Sequence, residues 1–366
     1  MKKIFYIVWI ALFVQCSQEQ KNHDDNTAVD YSVAIDSARS LLQEVQRLNN
    51  IPGMSASVSI NGEIVWSEGF GYADLENRVV VDPSKTMFRI GSVSKPLTAT
   101  AMAILYEEGK LDLDKTIHDY LPEFPEKKYT FTVRQVGGHI AGIRHYRGQE
   151  MYNDKYYETV TEGLAIFKND TLLFEPGTDY HYSSYGWNLI SAVVEKASGQ
   201  EFLSYMQQVV FDPLKLSNTH PEMASEKTEN KSEFYLLKDS LIVEAPYVDH
   251  SYKWAGGGFI STSEDLVKFG STYLLNDFLK QETIQEFTKS QVINDTTQTH
   301  YGIGWRSDIL EDGRYYFGHS GGSVGGITQL VIYPESGVVV ALVCNSSPVD
   351  YNGVQHAIGK LFSSGN

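Results

Sequence analysis

The sequence FRIGSVSKPLTA at residues 88–99 places Ser92 three positions before Lys95. An apolar helical pattern begins here, and residues i and i+3 share one face of a helix. The Lys95 amine can therefore lie beside the Ser92 hydroxyl. Because a neutral amine can take the proton of a serine and make it a nucleophile, this pair is a candidate chemical centre.

Two interpretations of the pair stay open at the level of this stretch. Serine is a preferred N-cap residue, so Ser92 could cap a helix and Lys95 could be a solvated surface lysine. In the catalytic interpretation, the lysine pKa has to fall from about 10.4 to near 7, at a cost of roughly 4 to 5 kcal/mol. A catalytic site would therefore be dry or already positive.

The N-terminal segment has the composition of an export signal. Two lysines precede an apolar run at residues 4–14, which is too short to span a bilayer but fits a signal-peptide core. Cys16 follows, and the arrangement resembles a bacterial lipoprotein signal, in which this cysteine is acylated. We expect a signal peptide at residues 1–15, a polar tether at 16–30 and a lipid-anchored protein of the cell envelope, periplasmic or on the surface. Ordinary cleavage beside an incidental cysteine is the alternative.

The composition argues against several function classes. The formal net charge is −16, which becomes −18 when the two signal lysines are removed, whereas a nucleic-acid-binding surface would be basic. Cys16 and Cys344 are the only cysteines, and we expect no disulfide between them. Because the sequence has no His-Glu-x-x-His motif and no Cys-x-x-Cys pair, we expect neither a metal nor another cofactor.

Hydrophobic periodicity predicts a helix at each end of the chain and a hairpin after the first helix. An amphipathic helix is expected at residues 31–49, followed by alternating strands on either side of the Asn61-Gly62 turn. A second amphipathic helix should begin near Val354 and close the chain. These residues are expected to belong to the core rather than to a site.

No proline-rich or serine-rich linker and no internal repeat divides residues 31–366. We therefore expect one composite domain. A sheet subdomain is expected at about 31–88 and 250–366, with a helical subdomain at about 89–249 between its two parts. The oligomeric state stays open.

Two further segments carry residues suited to the same chemistry. In residues 175–184, Tyr182 stands just before a predicted helix, where a nearby positive charge would lower its phenol pKa and let it relay a proton. With 23 tyrosines in the chain, a core role is a strong alternative. The glycine-rich residues 318–326 would let a substrate approach a strand edge, where a backbone N–H could stabilise an oxyanion; a turn in an antiparallel sheet is the alternative. His139 is expected to brace a loop.

These segments, in this order, resemble the serine β-lactamase-like superfamily, in the branch that holds class C β-lactamases, D-Ala-D-Ala carboxypeptidases and related esterases and peptidases. The likeness runs from about Ile35 to Asn345, and residues 139–146 look closest to the mitochondrial β-lactamase-like proteins. Four connecting segments have sequences similar to those of the family: LYEEGKLDL (105–113), TVRQVGGHIAGIRHY (132–146), AGGGFISTSED (255–265) and YGIGW (301–305). The resemblance implies an α+β, β-lactamase/transpeptidase-like fold, in which an antiparallel sheet is flanked by the terminal helices and a mostly helical subdomain is inserted.

The resemblance also implies roles for individual residues. Ser92 would be the acyl-enzyme nucleophile and Lys95 its amine partner. Tyr182 matches the tyrosine of the family's Tyr-x-Asn motif, a proton shuttle at the leaving group. His319 matches the first position of its Lys-Thr-Gly strand motif and would be a further catalytic residue. The backbone N–H groups of Ser92 and Gly322 would form the oxyanion hole. The other positions of the two motifs, which would contact the substrate, are Ser184, Ser320 and Gly321.

Two departures from the family pattern shape the functional expectation. Ser184 replaces the asparagine that contacts the substrate amide, and His319 replaces a permanent cation with a group that ordinarily titrates near pH 6.5. Both changes favour an esterase or peptidase, acting on a small molecule or a peptide, over a true β-lactamase. A surface-anchored binding or scaffold protein that keeps the fold without the chemistry is the alternative.

Overall fold

The computed structural model describes Met1 and residues 29–363, except residues 224–226, 240, 276 and 295. The expected signal peptide, Cys16 and nearly all of the tether lie outside the described residues. Within the described part of the chain, no helix has both the length and the apolar character that crossing a membrane requires.

Helices and antiparallel sheets alternate along the chain. The described strands are β1 (Gly53–Ile60), β2 (Glu63–Asp74), β3 (Val79–Val80), β4 (Phe88–Arg89), β5 (His220–Pro221), β6 (Tyr235–Lys238), β7 (Leu241–Glu244), β8 (Phe259–Ser261), β9 (Val292–Ile293), β10 (Thr297–Gln298), β11 (Arg306–Ile309), β12 (Tyr315–Ser323), β13 (Gly326–Tyr333), β14 (Val338–Cys344) and β15 (Ser346–Ser347). The described helices are α1 (Ser32–Asn49), α2 (Ser94–Glu107), α3 (Ile117–Tyr120), α4 (Val133–Gly137), α5 (Val160–Gly163), α6 (Ser184–Ser198), α7 (Phe202–Met206), α8 (Trp254–Gly257), α9 (Ser263–Leu275), α10 (Gln281–Thr288) and α11 (Val354–Ser363).

The largest sheet in the described residues has seven strands in the order β11-β12-β13-β14-β1-β2-β3, all antiparallel. The predicted hairpin is present as β1 and β2. Its turn residues Asn61 and Gly62 have φ angles of 50° and 89°, the left-handed pair that a two-residue hairpin turn needs. The other neighbour of β1 is β14, whose Cys344 lies opposite Met54. The sheet therefore joins the two ends of the domain.

The two faces of this sheet are packed differently. Alternate residues of β1 beginning with Met54 share one core cluster with α1 and α11, as the amphipathic patterns predicted. The intervening serines face α9, where Ser57 Oγ lies 2.8 Å from Ser263 Oγ and Ser59 Oγ lies 2.9 Å from Ser271 Oγ. Small hydroxyl side chains thus line the contact with α9. The α+β fold with terminal helices on the sheet is confirmed.

The region between the first and last strands of the sheet contains α2 to α7, and most of the α2 side chains are buried. It also contains β5, β6 and β7, so the segment expected to be mostly helical includes short strands near its C-terminal end. Each of these strands pairs within a small three-stranded sheet. The residues singled out from the sequence lie where this region meets the edge of the large sheet.

Candidate active site

Ser92 lies in a short 3-10 turn, Gly91–Val93, directly before α2. Gly91 has a φ of 49°, and a Cβ built on it would lie 2.6 Å from the carbonyl oxygen of Gly322. A side chain at position 91 would therefore collide with β12 as well as strain the backbone. The half-buried Ser92 is thereby held against the strand that carries the glycine-rich segment.

Lys95 is fully buried, and three oxygen atoms surround its amine. Its Nζ lies 2.9 Å from Ser92 Oγ, 3.3 Å from Ser184 Oγ and 2.6 Å from the carbonyl oxygen of Gly256. No carboxylate of the described residues is within ion-pair distance of it. Burial, followed by the charges of Arg306 and Lys253, lowers the Lys95 pKa well below its ordinary value. A neutral amine donates two N–H bonds and has one lone pair, which the Ser92 hydroxyl can use.

Tyr182 stands over this pair. Its phenol is hydrogen-bonded to Ser92, and Lys95 Nζ lies 4.9 Å from the centre of its ring. The expectation that a nearby cation would lower its pKa is wrong, because burial outweighs the hydrogen bond from Ser92 and the charge of Arg306 and raises the Tyr182 pKa. Tyr182 is therefore a neutral phenol, able to donate its proton.

Two histidines hold the segment around Tyr182. The Nδ1 atom of His139 accepts a hydrogen bond from the backbone of Ser183 at 3.1 Å, and its ring lies 4.3 Å from that of Tyr182. The Nδ1 atom of His145 accepts one from the backbone of Ser184 at 3.1 Å. Burial lowers both histidine pKa values, that of His145 to about 4, so both rings are neutral acceptors. His139 therefore holds the loop before α6 in place, as expected from the sequence.

Ser184 is only 3% exposed, and its hydroxyl contacts Lys95. It is the first residue of α6, and Ser183 before it accepts the capping hydrogen bond from Gly186. Tyr146 is also hydrogen-bonded to the Ser184 side chain. These contacts tie Ser184 to the lysine, and its predicted role in substrate binding stays a prediction.

His319 lies on β12 and is 3% exposed. Its Nδ1 lies 2.6 Å from the carbonyl oxygen of Ser320, and its Nε2 lies 2.8 Å from the hydroxyl of Tyr301. Burial and the charges of Lys95 and Arg306 lower its pKa well below 6.5. The neutral ring therefore donates from Nδ1 and accepts at Nε2, and the expectation that it titrates near pH 6.5 is wrong. It makes no hydrogen bond to Ser92 or Lys95, and its catalytic role stays a prediction.

The edge of β12 supplies the other wall. Because β11 pairs only with the residues of β12 up to Gly318, residues 319–323 have an edge without a strand neighbour, and the turn that carries Ser92 lies against it. A Cβ on Gly321 would lie 3.2 Å from the Ser92 nitrogen, whereas Ser320 and Gly322 are exposed. The two N–H groups predicted to bind an oxyanion, those of Ser92 and Gly322, therefore belong to adjoining backbone segments.

A buried ion pair connects these two segments. Arg89, three residues before Ser92, donates from Nε and Nη2 to Glu222 at 2.7 and 2.9 Å, and from Nη1 to the carbonyl oxygen of Val324 at 2.6 Å. Val324 follows Gly322 by two residues. The Arg89 guanidinium thus links the chain segment of one predicted oxyanion donor to that of the other.

The sequence interpretation did not single out two cations near the site. Arg306 begins β11, and its guanidinium lies 5.6 Å from the ring centre of Tyr182 and 5.7 Å from that of Tyr301. Lys253 immediately precedes α8, and its charge acts on Lys95. Arg306 directly follows one segment quoted for the family resemblance and Lys253 lies two residues before another, and those positions were the available signal. In a chain of net charge −16, the site is locally positive.

Other expectations for the site concern metals and lipid. Within the described residues, no group of three or more His, Cys, Asp or Glu side chains is arranged to hold a metal ion. The buried Cys344 lies on β14. Cys16, the expected lipidation residue, lies outside the described residues.

Comparisons with known proteins agree with this architecture. The family model described as Beta-lactamase matches residues 38–360. The serine beta-lactamase-like protein LACTB, mitochondrial, from Bos taurus is 33% identical over 91% of this chain and 80% of that protein. The octameric penicillin-binding protein homologue from Pyrococcus abyssi has a TM-score of 0.79 at 26% identity, covering 89% of this chain and 77% of that one. A D-stereospecific amidohydrolase from Streptomyces sp. shares the fold, with a TM-score of 0.74 at 24% identity over 90% of this chain and 98% of that one.

The family model covers most of the chain, and the bovine relative shares about a third of its residues. The resemblance predicted from the motifs is therefore confirmed, including the likeness to mitochondrial β-lactamase-like proteins. The chain belongs to the Beta-lactamase family, within the superfamily of serine β-lactamases and penicillin-binding proteins.

Proposed function

We propose that this protein is a serine hydrolase that cleaves an amide or an ester through a Ser92 acyl-enzyme. The supporting observation is the 2.9 Å contact between Lys95 Nζ and Ser92 Oγ, made by a lysine whose burial favours the neutral amine. Family membership supports a serine hydrolase in general terms. The residue roles and the substrate class are the finer parts of the proposal.

In the acylation step, Lys95 takes the Ser92 proton while Ser92 Oγ bonds to the substrate carbonyl carbon. The carbonyl oxygen becomes an oxyanion, which the N–H groups of Ser92 and Gly322 stabilise; removal of one such donor typically costs about 10²- to 10³-fold in kcat. The bond to the leaving group then breaks. Tyr182 donates its proton to the leaving group, and the Lys95 ammonium returns a proton to Tyr182.

Deacylation uses the same groups in the opposite direction. Water attacks the acyl carbon, its proton passes to the Tyr182 and Lys95 pair, and the ester bond to Ser92 Oγ breaks as Ser92 regains a proton. A buried tyrosine with a raised pKa cannot be the base on its own. The neutral Lys95 therefore accepts the proton, and Tyr182 relays it from the water to the lysine.

The neutral His319 and the buried Ser184 favour an esterase or peptidase over a true β-lactamase. His319 does not supply the fixed positive charge of the lysine that it replaces in the family motif. The buried Ser184 does not supply the substrate-facing amide of the asparagine that it replaces. The amidohydrolase from Streptomyces sp. shows that the fold accommodates amide hydrolysis in another protein. The substrates to screen are therefore simple esters and amino-acid amides, with a β-lactam as the comparison.

The test is the intact mass of residues 29–366 after exposure to a fluorophosphonate, beside the Ser92→Ala variant. We expect one adduct on the wild-type protein and none on the variant. An adduct that persists in the folded Ser92→Ala protein would reject Ser92 as the nucleophile. If the folded wild-type protein forms no adduct and hydrolyses no ester or amide, the alternative of a binding or scaffold protein is favoured.

We also propose that the protein is exported and anchored to a membrane of the cell envelope through an acylated Cys16. The support is the order of lysines, apolar run and cysteine at the N-terminus. Cys16→Ser should move the full-length protein from the membrane fraction to the soluble fraction. Unchanged membrane association of that variant would reject the anchor.

A further inference from the structure

Lys253 is a buried amine without a hydrogen-bond or ion-pair partner among the described residues. The residue is 5% exposed, and its Nζ lies 5.8 Å from the ring centre of Tyr146 and 5.4 Å from that of Tyr252. Aromatic faces compensate an ammonium only in part, and packing alone gives no reason for an amine at this place.

The backbone that follows Lys253 holds it close to the proposed reacting groups. Gly256, three residues later on α8, accepts the 2.6 Å hydrogen bond from Lys95. On the other side, Tyr146 is hydrogen-bonded to Ser184, which also contacts Lys95. Two short series of contacts therefore connect Lys253 to Lys95, one through Gly256 and one through Tyr146 and Ser184.

The charges around Lys253 leave it without a counter-ion. Glu222 acts on its pKa from beyond ion-pair distance, and Glu222 is already bound by Arg89 at two points and approached by Lys231 at 3.5 Å. Arg306, the other unpaired cation near the site, is exposed and can be solvated by water. Lys253 is buried, and no carboxylate of the described residues lies within ion-pair distance of it, so a bound anion would change its environment most.

We propose that Lys253 is an anion subsite, which binds a carboxylate of the substrate against the wall formed by Tyr146 and Tyr252. This inference rests on the proposed function, because it names the substrate class of the same site: amides or esters that carry a negative charge near the scissile carbonyl. A carboxylate would accept the hydrogen bonds that the amine now lacks, and such charge-assisted bonds are about twice as strong as neutral ones. It would also favour the ammonium form of Lys253.

Binding is measured by calorimetry in the Ser92→Ala protein, so that the result does not depend on turnover. The probes are N-(4-nitrophenyl)succinamic acid and its primary amide, N-(4-nitrophenyl)succinamide, which differ in one carboxylate. We expect the acid to bind at least about 10-fold more tightly than the amide, because a hydrogen bond to a charged group is worth about 1.5 to 3 kcal/mol. Adding Lys253→Met should reduce this preference to about twofold or less, and adding Lys253→Arg should retain most of it.

The matched control is Lys127→Met in the same background. It removes one positive charge from a half-buried lysine whose amine donates to the backbone carbonyls of Lys168 and Asp170, so the preference for the acid should be unchanged. Melting temperatures establish that each variant is folded.

Equal affinity for acid and amide would overturn the assignment, as would failure of both probes to bind at millimolar concentration. A preference that survives Lys253→Met but disappears in Arg306→Met would assign the anion to Arg306 instead. Failure of the proposed function is a separate outcome, because it is detected by absent fluorophosphonate labelling of the wild-type protein, whereas this experiment measures binding with the nucleophile removed.

Discussion

Arg89, Lys95 and Lys253 are buried basic residues at the same junction, and their surroundings differ. Arg89 is held by a bidentate carboxylate and a backbone carbonyl. The two lysines have no carboxylate within ion-pair distance among the described residues, and burial lowers the pKa of both, that of Lys253 to about 7. A guanidinium cannot lose its proton in a protein, so it has to be paired, whereas an amine can become neutral.

Arg89 is a fixed charge that holds backbone segments together, whereas Lys95 and Lys253 are amines that can gain or lose a proton. The Arg89 guanidinium connects the chain before Ser92 to the chain after Gly322 and keeps one state. Lys95 and Lys253 are the groups whose protonation a substrate or a change in pH can alter. Removing each cation, or its partner, should therefore change a different property of the protein.

The largest effect is expected from Lys95→Met. Loss of the base should lower kcat by about 10³- to 10⁴-fold, and the free energy of unfolding should stay equal or rise, because a buried amine without a carboxylate partner is removed. The measurements are ester hydrolysis and thermal melting, with Lys127→Met as the control. Retained hydrolysis in a folded Lys95→Met protein would show that another group takes the Ser92 proton.

Lys253→Met should stabilise the protein in a pH-dependent way. In the folded protein, burial and the charge of Arg89 outweigh Glu222 and hold the Lys253 pKa at about 7, against an ordinary value of 10.5. Between these pH values the unfolded chain binds the proton and the folded chain does not, so the wild-type free energy of unfolding rises with pH.

Because methionine binds no proton, Lys253→Met should be more stable than the wild type by about 3 to 5 kcal/mol at pH 6. This difference should shrink towards zero as the pH rises from about 7 to 10.5. Urea unfolding across this range measures it, and Lys268→Met, which removes a half-exposed lysine paired with Asp265, should show no such trend. A difference that does not change with pH would mean that the folded protein keeps the Lys253 proton.

Glu222→Gln tests the paired cation. It would leave the Arg89 guanidinium buried without its carboxylate, and breaking a buried pair in this way destabilises a protein by about 3 to 5 kcal/mol. Glu68→Gln removes the partner of Arg39, a pair whose side chains are 28% and 35% exposed, and should cost about 0 to 1 kcal/mol. Similar losses for the two variants, measured by urea unfolding, would contradict the contrast between them.

The last variant is Gly91→Ala, with Gly109→Ala as its match. Both glycines have left-handed φ angles, 49° and 69°, and only Gly91 has backbone atoms in the way of a Cβ. Each variant should lose about 1 to 2 kcal/mol for the left-handed conformation, and Gly91→Ala should lose more than Gly109→Ala because its Cβ would collide with the backbone of Gly322. Displacement of the Gly322 N–H should lower kcat by about 10²-fold in Gly91→Ala alone, and equal kcat values would argue against Gly322 as an oxyanion donor.

The sequence predicted the parts of the molecule that depend on short spacing. Ser92 and Lys95 are three residues apart, and a turn leading into a helix is enough to bring their side chains together. The β1–β2 hairpin and the terminal helices follow from alternation, a two-residue turn and an amphipathic stripe. These features need no knowledge of which distant segments meet.

The environment of the site could not be predicted in the same way. The raised pKa of Tyr182 and the neutral His319 result from burial by several elements, which spacing does not report. Arg306 and Lys253 are single residues that belong to no recognisable sequence motif. Their influence on the site depends on side chains that are brought near them only in the folded protein. The short strands β5 and β6 pair with the distant strands β8 and β15, so local periodicity did not predict them.

The pairing of β1 with β14 has a consequence for the time at which the domain can form. Gly53 donates a hydrogen bond to the side chain of Asn345, 292 residues later in the chain. Synthesis at about 5 to 20 residues per second separates these two residues by about 15 to 60 s. During that interval, β1 has β2 as its neighbour and no partner on its other edge. Gly322, on β12, is likewise synthesised long after Ser92. The nascent chain therefore carries a serine and its amine well before the strand that would complete an oxyanion site, and that site can form only after β12 has been synthesised.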